Sequence, residues 1–599
     1  MIEIPGLMAQ MSGSPSTWLT PLWILSVGVL AGTVVVALMF SALWGISRVP
    51  VLGEIYDNRP LRLRVGLGLG VVVLALAIWK VAFPQFTVWN EASGQGVALR
   101  NSLLLALILI PASLGLGFGL LALISRRAMD DVLGALQEGA LFWLSCLAGT
   151  ISLYAVLGYG LAMLGGISTF EIVKSPDEKL YSLVRLNETK IRDETVHEIP
   201  ADNGVGTEID INFLSVELAL MEFQSDQRLE IAAEEIVNDI DTAKIIAVDD
   251  NAADNDWSTF FPVTSIGGPI PDGEVTKLWV RNLGDAPAKL TLRLTTQPEY
   301  PEVAIIPRIA ASLVLLFLFY MIQRTALPKV SAIALSTFKT EVAQPIYLLF
   351  IMLGSLFAVA SIYIPYYTLG EDIKMLKDSV LTVILVFSIF MAVWAASKSI
   401  AEEIEGRTAL TVLSKPIGRR DFILGKFLGI TWSTGLLYLV MGIIFLAVVS
   451  YKPVYDAKET SQADVYWQQC FIEMVSMIPA LMLAFMEAIV FVAISVAIST
   501  RLPIMANLMI CFAIYVLGHL TPLIVQSSVA IQAFEPVVFF GQLVATIVPV
   551  LDHFNVQAAL TGGASVPAAY LGWSFLYCSI YAAIAMLLAL VFFEDRDLA

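Results

Sequence analysis

Glu487 is the sharpest single residue of this 599-residue chain. It stands near the middle of the apolar run 474–499, where an ionised carboxylate is costly unless it is paired or hydrated. Such a group is either a polar contact in a translocation path or subunit interface, held protonated, or one end of an interhelical hydrogen bond with no part in transport. Both readings stand. His519 is the only histidine inside an apolar run. Counting from the helix ends places it nearer the outer surface than Glu487, so the two are not expected to pair. With His197 and His553 in external segments, three scattered histidines make a poor metal site. Asp249, Asp250, Asp254 and Asp256 are dense, yet they lack the glycine and glutamate of a calcium loop. The nearest approach to a phosphate loop, 418–427, has six residues between its glycines, and Phe427 stands where a hydroxyl would hold magnesium. No G-x-S-x-G elbow is present. No catalytic, cofactor or metal residue is therefore assigned, and the chain is expected not to be an enzyme.

A mechanical function suits the stretch 401–426, AEEIEGRTALTVLSKPIGRRDFILGK. It joins the apolar runs 380–396 and 427–449, each long enough to cross about 30 Å of hydrocarbon at ~1.5 Å per residue. Lys398, Arg407, Lys415, Arg419, Arg420 and Lys426 crowd the connection, which places it in the cytoplasm by the positive-inside bias. Ile404, Leu410 and Leu413 recur at near-helical spacing, with Glu402, Glu403 and Glu405 largely on other faces. Pro416 and Gly418 break the helix before the chain re-enters the membrane. An acidic helix with a small apolar stripe suits docking to a soluble partner, although a solvated loop has the same composition.

This pattern resembles the coupling segment of the membrane subunits of type-2 ATP-binding-cassette (ABC) exporters. The positions that carry the likeness are Glu402, Glu403, Glu405, Gly406, Thr408, Leu413, Ser414, Pro416, Arg419, Arg420, Gly425 and Lys426, within a coupling segment taken as 399–426. The likeness covers about residues 329–599, and the nearest subgroup is the permeases of copper-enzyme maturation and gliding motility. It implies an ABC ATPase partner that carries ATP and Mg, a homodimer of this chain, a bacterial cytoplasmic (inner) membrane location, and outward movement of lipid-linked, polymeric or hydrophobic cargo. Two alternatives remain: a non-transporting scaffold or envelope-signalling subunit driven by such an ATPase, and a proton-coupled carrier using Glu487.

The elements that must position these residues follow from composition. Hydrophobic residues are 57% of the chain and charged residues 15%, so it is an integral membrane protein. The net charge of −17 argues against nucleic acid as a partner. That excess is local, since 171–303 holds 27 acidic and 11 basic residues. Cys146, Cys470, Cys511 and Cys578 lack CxxC spacing and read as buried free thiols. The first 16 residues lack a basic signal region, so the first apolar run is expected to be a retained span.

The fold class is an all-α polytopic membrane protein of about eleven spans, N-terminus outside and C-terminus cytoplasmic, with an inserted β-rich outer domain. A four-span module fills 1–167, with spans at 19–46, 65–83, 103–124 and 140–164. Gly115, Gly117 and Gly119 could permit close helix contact there. The acidic outer domain fills 168–302, with strand-like alternation at 208–218, 229–236, 244–248, 277–280 and 289–295, and a β-sandwich is the expected fold. Its charge either attracts a cation or an external protein partner or simply keeps the domain soluble. A connecting span crosses within 303–328. The permease core, 329–599, opens on an interfacial elbow at 328–344. Spans follow at 346–364, 380–396, 427–449, 474–499, 504–525 and 571–592. The short apolar run 536–551 lies in a region without Lys or Arg and reads as a re-entrant hairpin over about 533–552.

Overall fold

The computed structural model describes residues 15–48, 59–77, 139–164, 173–186, 193–201, 206–233, 245–248, 257–260, 273–364, 371–401, 417–461, 465–530, 548–556 and 566–594, with isolated positions between them. Most of the expected third span, the aspartate cluster 249–256, most of the 533–552 hairpin and most of the coupling segment lie outside these residues. The chain divides into two compact units, 174–306 and the remainder.

The larger unit is helical. Its N-terminal part holds α1 (Ser16–Ser47), α2 (Arg59–Ala77) and α3 (Ala140–Leu164). Gly28 and Gly32 of α1 lie against Ile309 and Ala310, where a larger residue would collide. Trp23, almost sealed, donates its indole N–H to the Ala155 carbonyl at 2.9 Å and so ties α1 to α3. Gly117 abuts Gly70 of α2, which realises the close helix contact read from that glycine run.

The smaller unit begins with α4 (Pro176–Arg185). Among the described residues eight strands follow: β1 (Asp193–Ile199), β2 (Thr207–Leu214), β3 (Leu218–Ser225), β4 (Leu229–Ala232), β5 (Ile246–Val248), β6 (Ser258–Phe260), β7 (Glu274–Asn282) and β8 (Ala288–Thr296). They form two four-stranded antiparallel sheets, ordered β1-β8-β3-β6 and β2-β7-β4-β5. The inner faces of both sheets share one core that includes Phe213, Phe223, Ile231, Leu278 and Leu292. The single strand expected over 208–218 is broken by a 3-10 turn, Ser215–Glu217, which carries the chain from one sheet to the other. On the outer faces the charge is ordered across strands. Arg293 lies opposite Glu194 and Glu222, at 2.9 and 3.4 Å, with its guanidinium 3.9 Å from the Trp257 ring centroid.

Returning to the helical unit, α5 (Ile305–Ala326) leads to α6 (Pro328–Val342) and α7 (Pro345–Ala360), which meet at a 63° bend. The residue before a proline is disfavoured in helix, and Gln344 is accordingly extended. Then come α8 (Asp372–Ala396), a π-helical turn (Ser397–Ala401), α9 (Arg419–Glu459), α10 (Trp467–Val475), α11 (Met477–Ser499), α12 (Ile504–Ala530) and α13 (Ala568–Glu594). The run read as one span over 474–499 is one spanning helix that begins earlier, at Trp467, with Ser476 keeping helical dihedrals between α10 and α11. At ~1.5 Å per residue the 41 residues of α9 reach roughly 60 Å, well beyond a bilayer core. Among the described residues seven helices are long and apolar enough to span, or eight if the bent pair α6–α7 counts as one. Eleven is not reached, partly because most of the third expected span is not described and only 14 residues of α2 qualify, as a shorter apolar helix.

The spanning windows of α8, α9 and α11 are 56%, 61% and 72% buried, against 22–28% for α1, α3, α5 and α13, which fixes the centre of the bundle. The N-terminal part belongs to the same unit: Ser450 of α9 donates to the Trp18 carbonyl at 2.7 Å, and the Trp18 ring meets Tyr451 edge-on. Cys470, Cys511 and Cys578 are buried as expected. Cys146 instead is exposed on α3.

Candidate functional site

Among the places in the described residues where polar side chains gather inside this apolar bundle, two hold the residues singled out from the sequence. The first is the end where α8 leaves and α9 begins. Helix α6 buries Val330, Ile333, Ala334, Thr337, Phe338 and Glu341, one stripe at helical spacing, and lays it along the start of α9. Gly425 and Gly429 permit that contact. A Cβ at 425 would stand 2.6 Å from the Ile333 Cβ, and one at 429 would stand 2.7 Å from the Ala334 carbonyl oxygen. The glycines are four apart, so both face α6.

Polar groups follow the seam. The Gln344 amide donates to Glu341 Oε2 at 2.7 Å and accepts the Trp394 indole N–H at 3.0 Å, joining α6 to α8. Lys426 Nζ pairs with Glu403 Oε1 at 2.6 Å, and the lysine is almost sealed. Arg419 donates to the Glu594 carbonyl at 2.7 Å, and Phe422 stacks on Phe593 at 5.7 Å, so the first turn of α9 is also held to the end of α13. Arg420 lies 3.9 Å from the Glu594 carboxylate. Asp421 accepts the Gly418 N–H at 3.3 Å, and Gly418 is extended, which starts the helix where the proline–glycine break was read.

Of the coupling residues taken from the sequence, the structure thus brings Glu403 to Lys426 and seats Arg419 and Arg420 on α13. Glu402, Glu405, Gly406, Thr408, Leu413, Ser414 and Pro416 lie outside the described residues.

Sequence reading missed a hub beside this junction. Asn507 is fully buried on α12, with Nδ2 2.8 Å from the hydroxyls of Ser397, Ser495 and Ser499. Its Oδ1 accepts from Cys511 Sγ at 3.3 Å. It therefore pins the π-helical exit of α8 to α11 and α12, and such π turns recur at functional sites. A lone Asn in an apolar run was the only signal.

The second place is Glu487, buried on α11. The expectation that it stands apart from His519 is overturned: His519 Nε2 lies 3.8 Å from Glu487 Oε1. Counting along axes ignored side-chain direction. Cα–Cβ bonds lean toward a helix's own N-terminus, so on antiparallel α11 and α12 the two side chains lean toward each other.

A bundle of long apolar helices around a glycine-seated elbow and a charged inter-helix junction describes a multi-pass membrane protein. Residues 307–598 match the family model described as ABC-2 family transporter protein. The match covers 292 of the 599 residues, begins within α5, and supports an ABC-2 type permease membrane domain over that region. No curated protein matches the chain.

Proposed function

We propose that the chain is the membrane-spanning permease subunit of an ABC exporter, worked by ATP and Mg on a separate ATPase subunit. The observation that carries this reading is the ABC-2 match over a bundle whose elbow α6 is clasped to α9 beside the Glu403–Lys426 pair. ATPase closure pushes on the coupling segment 399–426. Glu403 and Lys426 pass that push to the base of α9, and α6 follows because its backbone lies directly on Gly425 and Gly429. In this reading the segment docks through its acidic helix and through Thr408, Leu413, Ser414 and Pro416.

The core supplies half of a translocation unit, so two copies of the chain pair with two ATPases in a bacterial cytoplasmic membrane. The chain crosses eleven times, with the coupling segment and C-terminus in the cytoplasm and the two-sheet unit outside, where it is available to an external protein partner. Glu487 lies in the translocation path. The cargo is lipid-linked or hydrophobic. Three scattered histidines give no support to copper as cargo, despite the likeness to the copper-enzyme-maturation permeases.

Copurification tests the reading. Glu403→Arg and Gly406→Arg are expected to abolish recovery of the ATPase with the membrane-inserted chain. Recovery at the wild-type level would sink the docking role.

A further inference from the structure

We propose that Glu487 and His519 form an intramembrane proton-binding site, in which one exchangeable proton is shared between the Glu487 carboxyl group and His519 Nε2. The argument starts at the other ring nitrogen. His519 Nδ1 lies 3.1 Å from the Tyr515 carbonyl oxygen, which can only accept, so Nδ1 carries a hydrogen. That contact fixes the tautomer and leaves Nε2 as the nitrogen that gains or loses a proton. The Tyr515 ring, with its centroid 4.6 Å from that of the imidazole, holds the plane in place.

Nε2 faces Glu487 Oε1, and that oxygen has no hydrogen-bond partner although the side chain is 97% buried by its 3% exposure. A bare carboxylate there would be an uncompensated charge in an apolar core. Two arrangements avoid it. In one, Glu487 is a neutral acid beside a neutral imidazole; in the other the O–H bond breaks, an Nε2–H bond forms, and carboxylate faces imidazolium. Both are neutral overall, and they differ by one proton moved between the same two atoms. The separation of 3.8 Å closes to hydrogen-bonding distance by a small adjustment of either side chain. His519 is 28% exposed and Glu487 is sealed, so of the two groups the imidazole lies nearer the surface of the bundle.

The other titratable groups on the packed elements are tyrosines and cysteines, charged residues toward the helix ends, and Asp552, whose 3-10 turn packs against Gly518 beside His519. Tyr438 of α9 offers a second buried hydroxyl without a partner, Tyr515 shares α12 with Cys511, and Cys578, Tyr577 and Tyr581 belong to α13. Asp552 and His553 lie on the 3-10 turn Leu551–Phe554, His553 with its ring against Tyr577. Helix α8 carries Lys377 and Asp378 in its first two turns, and Lys377 is already paired with Glu473 of α10; Lys398 lies on the π turn beyond α8, and Glu473 belongs to α10.

The chain has only three histidines, so uniform histidine 15N labelling gives a readable NMR titration of the whole protein in lipid nanodiscs. His519 is assigned by its loss in His519→Asn. The expected result is that Nε2 titrates, Nδ1 stays protonated, and Glu487→Gln lowers the midpoint by at least about tenfold in proton affinity, the effect of removing an adjacent opposite charge. A His519 midpoint indifferent to Glu487→Gln overturns the proposal, as does titration at Nδ1. Should that variant not insert, infrared spectra decide. The carbonyl stretch of a protonated carboxyl group is expected to persist in wild type at neutral pH, where ordinary carboxyl groups are ionised, and to shift in amplitude or midpoint in His519→Asn; no such band at neutral pH, or an unchanged band, overturns the sharing. Neither measurement needs the ATPase, so the result stands apart from the exporter reading.

Discussion

Lys426 shows at a single residue why the junction is sensitive. Its ammonium is nearly sealed, with Glu403 as its charge partner and the Phe422 ring centroid 5.5 Å away. Glu403 is a third exposed, so water screens the pair in part. Glu403→Gln is expected to cost roughly 1–2 kcal/mol, less than the loss of one partner of a fully buried pair, because a charge is left behind it. Adding Lys426→Met should restore most of that loss, as measured by thermal unfolding of the detergent-solubilised protein. A double variant no better than the single one would mean that the pair does not bear on stability. Lys179 obeys the opposite electrostatics. Burial lowers its pKa from 10.5 to about 8 despite the nearby Glu178, Glu302 and Glu299. Between those values the unfolded segment binds more protons than the folded one, so stability rises with pH through that window, by at most about 3 kcal/mol, and is lowest below it. Amide exchange of α4, corrected for its intrinsic pH dependence, should slow accordingly, and Lys179→Met should flatten the profile.

At the scale of elements, the contact of α6 with α9 depends on two absent side chains. Gly429→Leu has nowhere to place its Cβ except against the Ala334 carbonyl and the Thr337 side chain. A cost of about 1–3 kcal/mol is expected from overpacking, together with reduced ATPase stimulation because α6 no longer moves with α9. Gly149→Ala on α3 is the control. Its Cβ meets nothing, and removing a helical glycine should be neutral or stabilising by about 0.5–1 kcal/mol. Equal effects of the two substitutions on unfolding would sink the packing argument. Much of this element-level order was legible. The elbow, the long central spans and the start of α9 follow from hydropathy, proline position and charge. The glycine seam was not read as a seam, because Gly425 and Gly429 gain meaning only once α6 lies across them. Asn507 likewise has three hydroxyl partners drawn from the α8 exit and α11, which no local pattern announces. In the smaller unit, β1 was missed because its sequence, DETVHEI, is mostly polar, and β3 because a three-residue turn separates it from β2.

At the scale of the whole molecule, the question is which side of the membrane each charged region faces. The helices are nearly featureless in this respect, since their apolar faces would suit either direction. Direction is read instead from the crowd of basic residues around 398–426, because the positive-inside bias counts Lys and Arg close to span ends and acidic residues weigh little in it. Arg293, held between Glu194 and Glu222, and Arg281, paired with Glu230, show that part of the acidic unit's basic complement is spent within its own sheets. Labelling decides the matter once Cys146, the exposed native thiol, is replaced by serine. A cysteine introduced at Asp226, in the turn after β3, should react with a membrane-impermeant maleimide on intact cells, whereas one introduced at Ser414 should react only after permeabilisation. The reverse pattern would put the coupling segment outside. No cytoplasmic ATPase could then push on it, and the Glu403–Lys426 pair would be a structural brace with no force to carry.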